Sequence, residues 1–227
     1  MTLGGLIRSI ITTLLVFPAA ILVSGGSIVW IEGWILSIWF VAIFLSTVIY
    51  MFVKDPGLLT ERRKAPGSDN QQKWDVYLLY AIYIISVLWI LIMPLDAKRF
   101  GWSPAFPLWL KIIGGLLLIP SFLFIFMTTV ENTYLPTRVR IQSDRKQQVI
   151  STGVYGFVRH PLYLGYLLLM LGGPLLQGSI AGLALCLPGI ITIMTWILGE
   201  EQMLLLELEG YDKCRKKVKY RLLTFIC

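Results

Sequence analysis

Residues 153–173 read GVYGFVRHPLYLGYLLLMLGG, a polar doorway of Arg159, His160 and Pro161 set directly ahead of an apolar run. Proline fits the first turn of a helix, where a missing N–H leaves no bond unmade. The stretch therefore predicts a helix starting at Pro161, with His160 at its N-cap. A helix N-terminus flanked by arginine and imidazole attracts an anion or a carboxylate. His160 is also the only histidine among 227 residues. Taken alone, Arg-His-Pro equally suits a snorkelling cationic boundary, so the rest of the chain must say what the doorway faces.

Outward from this stretch the composition is that of a membrane protein. The chain is 56% hydrophobic and 15% charged, with a mean hydropathy of +0.74. Soluble domains lie well below that, and the charges collect in short runs between apolar stretches of about 20 residues, the length that crosses a bilayer. Apolar spans are expected at about 6–24, 30–53, 75–95, 105–130, 161–177 and 180–199. The first reads as a span and not as a signal peptide, because no small-residue cleavage site precedes a soluble domain. Gly25-Gly26 punctuates the first hairpin, and Gly172-Gly173-Pro174 with Gly178 the last. Pro120 predicts a kink or tilt in the fourth span. The fold class is thus all-α, a multi-pass integral membrane protein of about six transmembrane helices ending in a helical hairpin.

The basic residues sort by side. Lys98, Arg99 and Lys111 lie on one face, and the other 17 of the 20 lysines and arginines on the opposite face. That asymmetry predicts cytoplasmic termini, and it accounts for the net charge of +7 without nucleic acid. The C-terminal KCRKKVKYR reads as an anchor to anionic membrane lipids. Trp30, Trp34, Trp74, Trp102 and Trp109 read as interfacial belt residues. ERRKAPGSDNQQKW (61–74) reads as a polar loop without chemistry of its own. Three cysteines, Cys186, Cys214 and Cys227, show no paired spacing, so no metal site is expected.

This topology brings the two ends of the last hairpin to one depth. Helices of about 17 and 20 residues rise about 25 and 30 Å. Arg159, His160 and Tyr163 then become neighbours of Glu200 and Glu201, across a pocket open to the cytosol. Adjacent glutamates there can accept hydrogen bonds from sugar hydroxyls or pair with an ammonium. A Glu-Glu pair at a helix end is also what a solvated face looks like. An anion-binding end opposite an acidic end suits a zwitterionic ligand that carries a sugar, such as a nucleoside joined to an amino acid.

The ordered set of STGVYGFVRHPLYLGY (151–166) and GEEQMLLLELEGYDKCRKKVKYR (199–221), with ENTYLPTRVRIQ (131–142) before them, resembles a known family. It is similar to the C-terminal signature of isoprenylcysteine carboxyl methyltransferases, phospholipid methyltransferases and related prokaryotic membrane methyltransferases, over roughly residues 131–222. The resemblance implies S-adenosylmethionine as cofactor. It divides the single membrane domain into N-terminal transmembrane helices (1–130) and an S-adenosylmethionine-binding catalytic region (131–227). By position it implies cofactor contacts from Gln142, Gln147, Gln148, Val149, Ile150, Tyr155, His160, Pro161, Leu162, Tyr163 and Glu200, with Arg159, His160 and Glu201 as the catalytic candidates. Three positions depart from the family pattern. Trp196 stands where isoprenylcysteine relatives often carry a substrate-binding arginine, Cys214 replaces a frequent tyrosine, and Thr224 a frequent proline.

The function this implies is methyl transfer from S-adenosylmethionine to a lipophilic small molecule or lipidated substrate at the cytoplasmic interface. A carboxylate acceptor is ionised at neutral pH and needs no base, whereas an amine must lose a proton, with Glu201 or His160 within reach to help. Two other readings share the spans and basic loops. Sterol reductases resemble the same C-terminal region, and a basic tail suits the 2′-phosphate of NADPH. A non-catalytic scaffold or carrier leaves the placed histidine and glutamate pair unexplained.

Overall fold

A computed structural model describes residues 2–68, 70–135 and 137–222, so that Thr224 and Cys227 lie outside the described residues. Thr2 opens α1 (Leu3–Pro18), its hydroxyl accepting from the Gly5 N–H at 3.2 Å. α2 (Ile31–Lys54) is followed at once by α3 (Pro56–Arg62), whose N-cap Asp55 accepts from Leu58 N at 2.9 Å. α4 (Lys73–Pro94), α5 (Leu108–Glu131), α6 (Pro161–Gln177), α7 (Ile180–Glu207) and the short α8 (Tyr211–Lys217) complete the chain. Pro18 and Pro94 each pass into a π-helical turn, Ala19–Val23 and Leu95–Phe100. The proline ring and its missing N–H open the i→i−4 ladder there and let the register widen. Among the described residues, five helices (α1 and α4 with their turns, α2, α5 and α7) are long and apolar enough to cross a membrane, and α6 is a shorter apolar helix. The all-α, multi-pass architecture expected from the sequence is the one observed.

α6 covers the expected 161–177, with Gly172, Gly173 and Pro174 inside it, and stops at Gly178, in the left-handed region at φ +81°. α7 continues to Glu207, about two turns beyond the expected 199.

α5 and α6 pack with their backbones in contact. A Cβ on Gly114 would lie 2.3 Å from Leu176 N, and one on Gly172 would lie 2.9 Å from Gly114 O. Small residues permit this approach, and interhelical polar bonds secure it. Ser121 Oγ on α5 donates to Gly165 O on α6 at 2.7 Å, and Trp39 Nε1 on α2 ties that helix to α5 by donating to Leu118 O at 2.8 Å. Gly173 faces α4 instead, where the Trp89 ring fills the space a Cβ would take.

The two ends of the bundle carry different charge. At one, Lys111 pairs with Glu32 at 2.6 Å, and the buried Asp96 accepts from Ser103 and Ser179 hydroxyls and from Ala181 N. At the other lie α3, the connection 132–160, and α8. Trp34, Trp102 and Trp109 are exposed, as belt residues are, but Trp30 packs inward on Gly25 and Gly33, and Trp74 packs on Gly199.

Candidate functional site

Among its described residues the connection 132–160 has only two short 3₁₀ turns, Ser143–Arg145 and Gly153–Gly156, so side chains must hold it. Glu131, at the end of α5, accepts from Val154 N at 2.8 Å, and Gly153 (φ +52°) leaves room for that carboxylate. Asn132 turns the chain, its Oδ1 accepting from Tyr134 N while its Nδ2 donates to the Tyr155 hydroxyl at 2.8 Å. Arg145 donates to Thr133 O and Gln142 Oε1, both at 2.8 Å, and Gln142 Nε2 donates to Tyr134 O. The first polar loop supplies the remaining anchors. Glu61 accepts from Arg140 at 2.9 Å, Arg138 donates to Ala65 O and Ser68 O, and the fully buried Asp75 accepts from Val139 N at 2.9 Å. The stretch 61–74 therefore scaffolds the site, a role its composition did not reveal. Buried polar groups need such partners because each one left unpaired costs about 1–3 kcal/mol.

The hairpin of α6 and α7 then brings doorway and glutamates together. His160 is the N-cap of α6 and Pro161 its first residue, as expected. The imidazole is 5% exposed, with Nε2 3.3 Å from Glu201 Oε1 and Nδ1 3.8 Å from Glu200 Oε2. Tyr163 donates its hydroxyl to Glu200 Oε2 at 2.8 Å. The His160, Tyr163 and Trp196 rings follow one another at 5.6 and 6.0 Å between centroids. Trp196 thus fills the position of the expected arginine with an aromatic wall. Arg159 Nε donates to Glu201 Oε1 at 2.7 Å.

These groups surround a cavity of about 330 Å³. Its polar end is lined by Gln147, Gln148, Val149, Ile150, Tyr155, His160, Pro161, Leu162, Tyr163 and Glu200, ten of the eleven residues expected to touch a cofactor, and also by Arg159. Gln142 is not in the wall: it is fully buried in the bonds that shape the loop. Glu201 is not in the wall either, being 3% exposed within an ion cluster. Tyr211 and Cys214 of α8 also line the polar end, although the sequence marked them only as a motif and a departure. The other end is apolar and reaches Phe40, Trp89, Ile90, Leu169 and Met170. Tyr83 and Ser86 in its lining are exposed on the outer face of α4.

Burial, reinforced by the charge of Glu200, pushes the pKa of the Tyr155 hydroxyl well above its ordinary value. Since that oxygen accepts from Asn132, its own proton is left to donate into the cavity. Burial likewise pushes the Cys214 thiol up, so it stays neutral and poorly nucleophilic. Among the described residues no three His, Cys, Asp or Glu side chains converge as a metal site.

Fold and site together define a helical membrane protein with a ligand-sized pocket at its strongly basic end. Residues 109–208, from α5 through α7, match the family model of phospholipid methyltransferases. The match agrees with the resemblance carried by the Arg-His-Pro and Glu-Glu motifs. It begins a helix earlier than the quoted motifs and stops before the basic tail. No curated protein matches the chain.

Proposed function

We propose that the protein binds S-adenosylmethionine at the polar end of the cavity and methylates a lipophilic acceptor that reaches the same cavity from the membrane. The observation that carries this is the continuity of one cavity. Its hydrogen-bonding end is built from residues 147–163 and Glu200, and its apolar end reaches an exposed part of α4. The donor set suits the cofactor. Glu200 offers a carboxylate to sugar hydroxyls or an ammonium, Tyr155 and the Gln147 and Gln148 amides offer neutral donors and acceptors, and the Tyr163 and Trp196 rings offer π faces to a cation.

S-adenosylmethionine supplies an electrophilic methyl group on its sulfonium. The chain's task is to hold the acceptor in line and keep water out. The apolar limb serves both ends, since it solvates a hydrocarbon acceptor and admits little water. Trp196 puts an aromatic ring where a substrate-binding arginine would stand, which favours an amine or neutral acceptor over a carboxylate at that point of the wall. The basic end, with both termini, faces the cytoplasm in this reading, where the water-soluble cofactor is found.

The experiment is calorimetric titration of the detergent-purified protein with S-adenosylhomocysteine and, separately, NADPH. Binding of the first alone is expected, with His160→Ala and Glu200→Ala each losing it while still inserting and purifying. Unchanged affinity in both variants removes the site, and a preference for NADPH replaces the transferase reading with a reductase.

A further inference from the structure

Glu201 presents a puzzle, because it lies beside His160 yet outside the cavity wall. Both its oxygens are committed. Oε1 accepts from Arg159 Nε at 2.7 Å and faces His160 Nε2 at 3.3 Å, while Oε2 accepts from Arg221 Nε at 2.8 Å. Arg221 belongs to the segment after α8, and that segment is bound along the doorway. The N–H groups of Arg159 and His160 donate to Tyr220 O at 2.9 Å and Arg221 O at 3.0 Å. Arg159 Nη1 donates to Val218 O at 2.8 Å and Lys219 O at 2.6 Å. Val218 is buried, and Leu222 packs against the apolar cluster around Ile193 and Met170.

The consequence is a fixed chain of contacts from tail to imidazole. A carboxylate held at one oxygen only is free to rotate and to take Arg159 in a two-pronged grip. With Oε2 pinned by Arg221, Oε1 is the oxygen left to face Nε2. The strap also anchors the His160 backbone through Arg221 O, so ring and partner are positioned by the same residue. The other charged and titratable groups around the imidazole are Glu200 on α7, Tyr163 on α6, Tyr211 on α8 and Arg159 in the doorway. Of these only Arg159 also binds Glu201, and its guanidinium is already spent on two strap carbonyls.

We infer that Arg221 is a positioning residue: through Glu201 the C-terminal strap 218–222 sets the orientation and the proton placement of the His160 ring. The importance of this to catalysis rests on the cofactor reading above, but the coupling does not. Glu201 is accordingly an orienting counter-ion and not the proton acceptor that its sequence position suggested.

The single histidine makes the test direct. Ring nitrogens labelled with ¹⁵N in histidine give one residue's signals, whose shifts report which nitrogen carries a proton. In the ligand-free full chain, Arg221→Ala is expected to move those signals, Arg221→Lys to restore them largely, and Lys217→Ala on the exposed face of α8 to leave them in place. Glu201→Gln is expected to move them as well, and the double variant no further than Glu201→Gln alone, because Arg221 acts through Glu201. If Arg221→Ala fails to accumulate, Arg221→Gln takes its place. Signals that superimpose on the wild type after loss of Arg221, or additive effects in the double variant, overturn the inference. Titration with S-adenosylhomocysteine is expected to weaken about tenfold in Arg221→Ala, the scale of one charge-assisted hydrogen bond. Failure of the wild type to bind that compound counts against the cofactor reading, while the histidine signals still decide the coupling.

Discussion

Replacing Gly114 by alanine tests the helix pair that carries the site, and Gly115→Ala beside it is an internal control. The new Cβ at 114 would sit 2.3 Å from Leu176 N, 2.7 Å from Gly172 O and 2.8 Å from Leu175 C, all backbone atoms that no rotamer change can move. Contact becomes ordinary only beyond 3.4 Å, so α5 and α6 must part by about 1 Å. At 115 the nearest atom is Leu176 Cδ1 at 3.8 Å, which is ordinary contact. Overpacking of this kind costs roughly 1–3 kcal/mol, while glycine to alanine in a helix returns up to about 1 kcal/mol at either position. The expected difference between the variants is therefore about 2 kcal/mol. That corresponds to a midpoint lower by roughly 4–8 °C for Gly114→Ala in thermal unfolding in detergent. Because α5 ends at Glu131 and α6 begins at the doorway, cofactor affinity should fall with it. Equal midpoints for the two variants would show that the helices do not meet at Gly114, and the backbone-contact argument would be lost.

Three further outcomes follow from the loop anchors and the charge pattern. Burial opposes the charge on Glu61, but hydrogen bonds from Lys64 and Arg140 outweigh it and hold its carboxyl below the ordinary value of 4.5. Stability from that shift is complete above 4.5 and is lost as pH falls through the depressed value, so Glu61→Gln should flatten the acid side of a midpoint-versus-pH curve. A curve parallel to the wild type's refutes the anchor. Gly153→Ala places a Cβ 1.9 Å from Glu131 Oε1 at a φ of +52°, and should weaken S-adenosylhomocysteine binding at least tenfold while circular dichroism keeps its helical signal. Full affinity in that variant means Tyr155 is held by something other than this turn. A reporter fused after residue 227 should score as cytoplasmic, and the opposite result reverses the orientation proposed for the pocket.

Composition and span length were enough to predict the all-α membrane architecture, because a bilayer forces the backbone to satisfy itself within each apolar segment. The N-cap at His160 and the helix start at Pro161 were equally legible, being set by the covalent geometry of one proline. The resemblance carried by those motifs implied eleven ligand residues, and ten of them line one cavity, the hairpin returning Glu200 to the depth of His160. Long-range packing decided the rest. Whether a glutamate near a membrane boundary faces a pocket or an ion cluster depends on which face of α7 the tail covers, and so Glu200 and Glu201, neighbours in the chain but about 100° apart around the helix, do different work. The anchoring roles of Glu61, Asp75 and Arg221 carry no local signal, for each runs through a partner at least 20 residues away, in Arg140, Val139 and Glu201, and such pairings exist only after the helices have packed.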